Sequence, residues 1–331
     1  MRLLLHIGHG KTGSSFLQSW LACNADRFES RCGLLMPGDS AAARAGHFSM
    51  GNGDRMESLL QQSAAQQLRW LRQHCERSAA VSGLLFSREG WARRFPDLVD
   101  PMLRLADAWG VERLELLLLV RDPLDHACSV YSQVVKRHGY DGSIDAWLEV
   151  YDFTARLLAC LRCVAAHSDR LQLRVEHYGQ QRRRLIPIVC DWLKLDAEAD
   201  WCEPPVQRVN RSLTQEELQL MRWLNGTASR ERSARIGELL VNRLPDLPSA
   251  VLQPAPAAVD RFLDHWRETV NQINALLPPE VGLRLEKRNH QQQHQRTSPE
   301  GSAITLLPEQ LECLRLGISD PLDSAAEGSQ G

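Results

Sequence analysis

Apolar residues follow two rhythms along this chain. Short, mostly apolar runs stand at 2–8 (RLLLHIG), 33–36 (GLLM), 83–87 (GLLFS), 114–120 (LELLLLV) and 170–175 (RLQLRV). Between them apolar positions recur every three or four residues, which predicts helices near 14–29, 55–77, 99–109, 123–137, 153–167 and 180–194. Uniformly apolar strands alternating with helices predict an α/β fold, a doubly wound parallel sheet of about five strands with helices on both faces. Ligands of such sheets gather beyond the carboxyl ends of the strands.

After about residue 205 the strand pattern stops while the helical one continues, at 214–225 and 259–277. The stretch from Asn289 to Ser302 and the end beyond Gly317 are polar and without period, and are expected to be mobile. The expected organisation is an α/β nucleotide-binding core at 1–205, a helical extension of the same domain at 206–288 and a largely flexible tail at 289–331. With 331 residues and 43% hydrophobic content the chain can bury one full core.

Charge and cysteine content narrow the class further. Lysine and arginine number 39 against 41 aspartates and glutamates, so nothing draws the chain in bulk to nucleic acid or anionic membranes. Any anion site has to be local. Nine irregularly spaced cysteines argue for reduced thiols and a cytoplasmic location, and the pair Cys160 and Cys163 reads as helix packing. The apolar run at the N-terminus is too short for a signal segment, and none is long enough for stable membrane insertion. Arg182, Arg183 and Arg184 read as a solvated face.

Chemistry concentrates in two places. The first strand runs into Gly10, Lys11, Thr12, Gly13, Ser14 and Ser15, followed by Phe16, Leu17, Trp20 and Leu21 at helical spacing. The first N–H groups of a helix lack partners and carry partial positive charge; glycines let the backbone curl, and Lys11 adds a full charge. That is an anion site, although a plain turn capped by Ser14 fits the same residues. A nucleotide-triphosphate loop would need glycine at position 5, where Leu5 stands.

The second place is the end of the 114–120 run. Arg121 leaves the strand, Asp122 and Pro123 start a helix, and Ser129 falls two turns in. A guanidinium and a hydroxyl so disposed can share one phosphate; alternatively Arg121 pairs with a surface carboxylate.

Together, KTGSS at 11–15 and RDPLDHACS at 121–129 resemble the sulfotransferases that use 3′-phosphoadenosine 5′-phosphosulfate (PAPS), and look most like bacterial members beginning LHIGHGKTGSSFLQ. The resemblance extends loosely to about residue 225. It implies that the Gly10–Ser15 turn binds the 5′ side of PAPS, that Arg121 and Ser129 bind the 3′-phosphate, and that no metal is needed. It implies a small-molecule or glycan acceptor. The C-terminal R-K-G segment of animal cytosolic members is missing, Arg208 and Arg211 being able to substitute for it, and so is the segment carrying their catalytic histidine.

An acceptor hydroxyl or amine needs a base. Glu89, after the 83–87 strand, and His47, in a glycine-containing loop, are the candidates, Glu89 being favoured because a sheet holds it rigidly while glycines at 46, 51 and 53 loosen the loop. Two other classes stay open: a P-loop kinase, which needs a Mg²⁺ carboxylate, and a nucleotide-binding module without catalysis.

Overall fold

The computed structural model describes residues 1–38, 40–75, 81–206, 211–286 and 304–319. One five-stranded sheet with helices around it organises the chain, formed by β1 (Arg2–Gly8), β2 (Leu34–Leu35), β3 (Gly83–Glu89), β4 (Leu114–Val120) and β5 (Leu171–His177). The strand order is β2-β3-β1-β4-β5 and every pairing is parallel. Each expected strand forms. The edge strand β2 keeps only two residues of its predicted run.

The apolar runs form strands because both faces are covered. Leu3, Leu4, Leu5 and Ile7 are fully buried, each stabilising the fold by about 1.5–3 kcal/mol. His6 interrupts this run. It pairs across the ladder with Ser87, its Nδ1 2.8 Å from the hydroxyl, and burial lowers its pKa to about 4.

Helix boundaries moved where tertiary contacts overrode local pattern. The predicted 14–29 helix is two, Ser14–Cys23 and Ala25–Cys32. Asn24 stands at the break, its amide donating to the Cys202 carbonyl at 2.9 Å and its oxygen accepting from the Cys202 N–H at 2.7 Å. The 55–77 segment likewise divides into Gly53–Leu60 and Ala64–Cys75. Conversely, one helix runs from Trp91 to Ala108 through Pro96 and Pro101, held by the buried face of Trp91, Phe95, Leu98, Met102 and Leu105.

The chain folds as two compact units. The first is Met1–His126, Tyr151–Val209 and Leu263–Glu286, and contains the whole sheet; the second is Ala127–Val150, Asn210–Phe262 and Lys287–Gly331. Packing, not chain order, sets this division: Leu263–Glu286, expected in the helical extension, belongs with the sheet. The second unit holds the helices Gln215–Thr227, Arg230–Arg243 and Pro308–Ser319. The first of these begins with a capping box of Thr214 and Glu217. Pro308–Ser319 corrects the expectation of a flexible tail there, since Gln310 and Cys313 are buried within it. The stretch at 289–302 and the residues after 319 lie outside the described residues.

All nine cysteines are free, Cys160 being fully buried and Cys163 half-buried, and burial raises both thiol pKa values. Arg182, Arg183 and Arg184 are exposed, as a solvated face requires. No helix among the described residues is long and apolar enough to cross a membrane.

Candidate phosphate-binding site

Parallel strands bring their carboxyl ends to one edge, where Gly8, Glu89, Val120 and His177 terminate β1, β3, β4 and β5. The chain leaves β1 toward the β3 side and leaves β4 toward β5, so the loops after β1 and β4 flank the switch point of the sheet. Those are the two loops with candidate chemistry.

The first loop has an uncommon backbone. Gly10 (φ 83°), Lys11 (φ 50°) and Gly13 (φ 83°) all lie in the left-handed region, and Gly13 is the N-cap of the helix Ser14–Cys23. Left-handed residues on both sides of Thr12 give the change of hand that suits a concave nest of N–H groups for an anion. Gly13 is required twice over, by its φ and because a Cβ would stand 2.7 Å from the Tyr178 ring. A lysine in this conformation costs about 1–2 kcal/mol, a local strain of the kind that clusters at functional sites.

Two hydroxyls fit the same purpose. Thr12 and Ser14 are buried, and their Oγ atoms have no hydrogen-bond partner among the described residues. A helix start with no acidic residue in its first turn and no side-chain cap stands behind them. Buried donors left over at a helix N-terminus suit a phosphate or sulfate group.

Arg121 is not apart from this loop. Its Nη1 donates to the Lys11 carbonyl at 3.1 Å, its Nε stands 3.9 Å from Asp125, and its guanidinium lies 5.8 Å from the centre of the Tyr178 ring. The two motifs, expected to make separate anion sites, therefore meet at the loop. The Asp122 carbonyl accepts from the His126 N–H at 2.8 Å, while its side-chain Oδ1 accepts from His177 Nε2 at 3.0 Å and from the Arg284 N–H at 2.8 Å. Burial pushes this carboxyl upward, but those two hydrogen bonds outweigh it and the pKa falls below the ordinary value.

No protein-family model matches the chain, and no curated protein matches it in sequence. Among solved structures, a sulfotransferase from Alicyclobacillus acidocaldarius aligns over 83% of this chain and 95% of its own, at 13% identity and a TM-score of 0.45.

Glu89 ends β3 beside the loop: a Cβ on Gly10 would lie 3.5 Å from its Oε1. Its N–H donates to the Met50 carbonyl at 3.1 Å, and the same carbonyl accepts from Gln18 Nε2 at 3.0 Å. The expectation of a loosened 46–53 loop needs correction here. Asn52 is buried and bonds to Pro37, Leu85 and Ser87, and Gly51 lies directly against the Ser87 carbonyl, so the second half of the loop is pinned to β3. His47 is exposed, its N–H donating to Ala42.

Ser15 is half-buried in the first turn of its helix, and Ser129 is half-buried in the second unit. Arg211 is buried in that unit and committed: its guanidinium donates to Glu217 at 2.7 and 2.8 Å and to the carbonyls of Ser212, Leu240 and Leu244. These bonds account for its burial without a phosphate, which corrects its expected role. Arg208 lies outside the described residues.

Sequence reasoning missed His9, His126, Tyr151 and Tyr178. His126 is fully buried, stacked on His9 with ring centres 4.2 Å apart, and it faces Gly10 and Tyr151. Burial, and then the charges of His9 and Arg121, hold its pKa well below the ordinary value. Only its place inside RDPLDH, next to a charged motif, marked it in the sequence. A cleft of about 730 Å³ follows β2, lined by Asp26, Met36, Pro37, Arg44 and His74 among others, and includes no residue of the 9–15 loop. Among the described residues no group of three or more His, Cys, Asp or Glu side chains could hold a metal ion.

Proposed function

We propose that this chain is a PAPS-dependent sulfotransferase, acting on a hydroxyl or amine of a small-molecule or glycan acceptor. The observation that carries the reading is the loop itself. A strained Lys11, a left-handed Gly13 and the leftover hydroxyls of Thr12 and Ser14 stand at a helix start braced by Arg121. Together with the order and separation of KTGSS and RDP, this supports a nucleotide with charged groups at both its 5′ and 3′ positions.

Bound PAPS supplies an activated sulfuryl group. Lys11, the loop N–H groups and the hydroxyls of Thr12 and Ser14 hold the 5′ side, and Ser15 adds a donor from the first helical turn. Charge that grows on the leaving oxygen strengthens these contacts in the transition state beyond their ground-state value. Arg121 and Ser129 are each assigned to the 3′-phosphate on their motif positions alone. Glu89 accepts the acceptor's proton.

A kinase reading is less favoured because Leu5 replaces the glycine of a triphosphate loop and the Asp122 carboxylate is engaged by His177 and Arg284. Incubation with labelled PAPS plus a mixed acceptor panel, and separately with ATP–Mg²⁺, decides the matter. Sulfated product is expected. ATP turnover would replace the reading with a kinase, and nucleotide binding without any turnover would leave a binding module.

A further inference from the structure

Two successive carbonyls of the loop are held from behind by side chains: Gly10 by His126 and Lys11 by Arg121. The Gly10 carbonyl can only accept, so His126 Nε2 carries the proton and donates across 3.2 Å. In the neutral ring Nδ1 is then the acceptor, taking the Tyr151 O–H at 2.8 Å. All of these residues lie in the sheet-bearing unit.

In a trans peptide the carbonyl and the following N–H point in opposite directions. A bond that draws the Gly10 carbonyl toward His126 therefore turns the Lys11 N–H the other way, and Arg121 does the same for the Thr12 N–H. Both amides therefore face away from the side chains that hold the carbonyls, in a loop whose Thr12 and Ser14 hydroxyls are buried.

We infer that His126, with its tautomer set by Tyr151, is a positioning residue that orients the Lys11 amide toward the bound anion. The inference rests on the sulfotransferase reading for the identity of that anion, but not for the geometry of the loop. His126 is fully buried and its ring is stacked on His9, so it touches no substrate; it acts through the Gly10–Lys11 peptide plane.

The test uses the full chain and three variants, His126→Ala, His126→Gln and Tyr151→Phe. Glutamine can present an N–H near the place of Nε2. Backbone order parameters of Lys11 and Thr12, measured by NMR without nucleotide, are expected to drop in His126→Ala from the rigid range near 0.85 to below about 0.6. His126→Gln should restore them, and Tyr151→Phe, which keeps the ring packing, should lower them partially. Affinity for 3′-phosphoadenosine 5′-phosphate should fall about tenfold in His126→Ala, the size of one lost hydrogen bond to a charged group, and recover in His126→Gln. KM for PAPS should rise more than kcat falls.

Unchanged order parameters in both His126→Ala and Tyr151→Phe would overturn the inference, as would loosening spread evenly through the sheet. If His126→Ala does not fold, Tyr151→Phe alone decides. If the wild type fails to bind the nucleotide, the proposed function fails while the order parameters still judge the clamp.

Discussion

The guanidinium of Arg121, at the tip of β4, donates to the main-chain carbonyl of Lys11, in the loop after β1, at 3.1 Å. Residues 110 apart in the chain thus share one edge of the sheet, because β1 and β4 are parallel neighbours. Arg121 braces the loop through this N–H, while its Nε stands 3.9 Å from Asp125.

Binding should separate two nucleotides. Affinity for 3′-phosphoadenosine 5′-phosphate is expected to exceed that for adenosine 5′-monophosphate by about ten- to a hundredfold, the worth of a charge-assisted bond to the extra phosphate. Arg121→Ala should remove most of the difference and Ser129→Ala part of it, both read by calorimetry. Equal affinities in the wild type would remove the 3′-phosphate assignment.

Lys11 carries charge and strain at once, and two substitutions pull these apart. Lys11→Ala and Lys11→Gly should each reduce turnover by about a hundred- to a thousandfold, as for a lost oxyanion donor. Glycine accepts φ 50° without penalty, so Lys11→Gly should melt no lower than Lys11→Ala. Full turnover in either variant would reduce Lys11 to a structural part of the loop.

Between the two candidate bases, Glu89 stands beside Gly10 and His47 is exposed. Glu89→Gln should slow single-turnover transfer by about a hundred- to ten-thousandfold with nucleotide affinity intact. His47→Asn should act mildly, on acceptor binding. The opposite order of rates would move the base to His47.

Acid should destabilise the fold early. His6 and His9 are held near pKa 4, mainly by burial, against 6.5 for an ordinary histidine. Between these values the unfolded chain takes up protons that the folded chain refuses. Stability is therefore whole above about pH 6.5 and falls as pH drops toward 4, by up to about 1.4 kcal/mol per pH unit for each histidine. Asp122 and Glu217, whose pKa values lie below the ordinary ones, add their own loss at more acid pH. Urea midpoints measured from pH 7.5 to 4.5 check this, and a flat profile would contradict neutral buried rings.

Arg211 should matter for stability and not for nucleotide. It and Glu217 form a buried pair that Gln310 completes at 2.9 Å. Removing one partner strands the other, so Arg211→Ala should cost about 3–5 kcal/mol in chemical denaturation. Nucleotide affinity under folding conditions should stay within about twofold. A lost preference for the 3′-phosphorylated nucleotide at unchanged stability would return Arg211 to the donor site.

The sequence by itself determined the strands, the parallel sheet and the loop after β1, because these depend on contiguous residues. Leu3 to Ile7 can be buried on two faces only as an inner strand, and Gly10, Lys11 and Gly13 announce a turn at a helix start wherever the chain goes. It also identified Arg121 and Glu89 as strand-tip residues, since a parallel sheet sends every carboxyl end to one edge. Tertiary structure decided what those residues touch. Arg121 meets the Lys11 carbonyl, His126 meets Gly10, and Asn24 breaks a helix to hold Cys202, each through contacts between distant segments that no local period encodes. Arg211 shows the same limit from the other side: its spacing allowed a phosphate, and the buried carboxylate of Glu217, six residues on, claimed it. A charged side chain leaving water goes to the partner that compensates its desolvation, and that choice is made by packing in three dimensions.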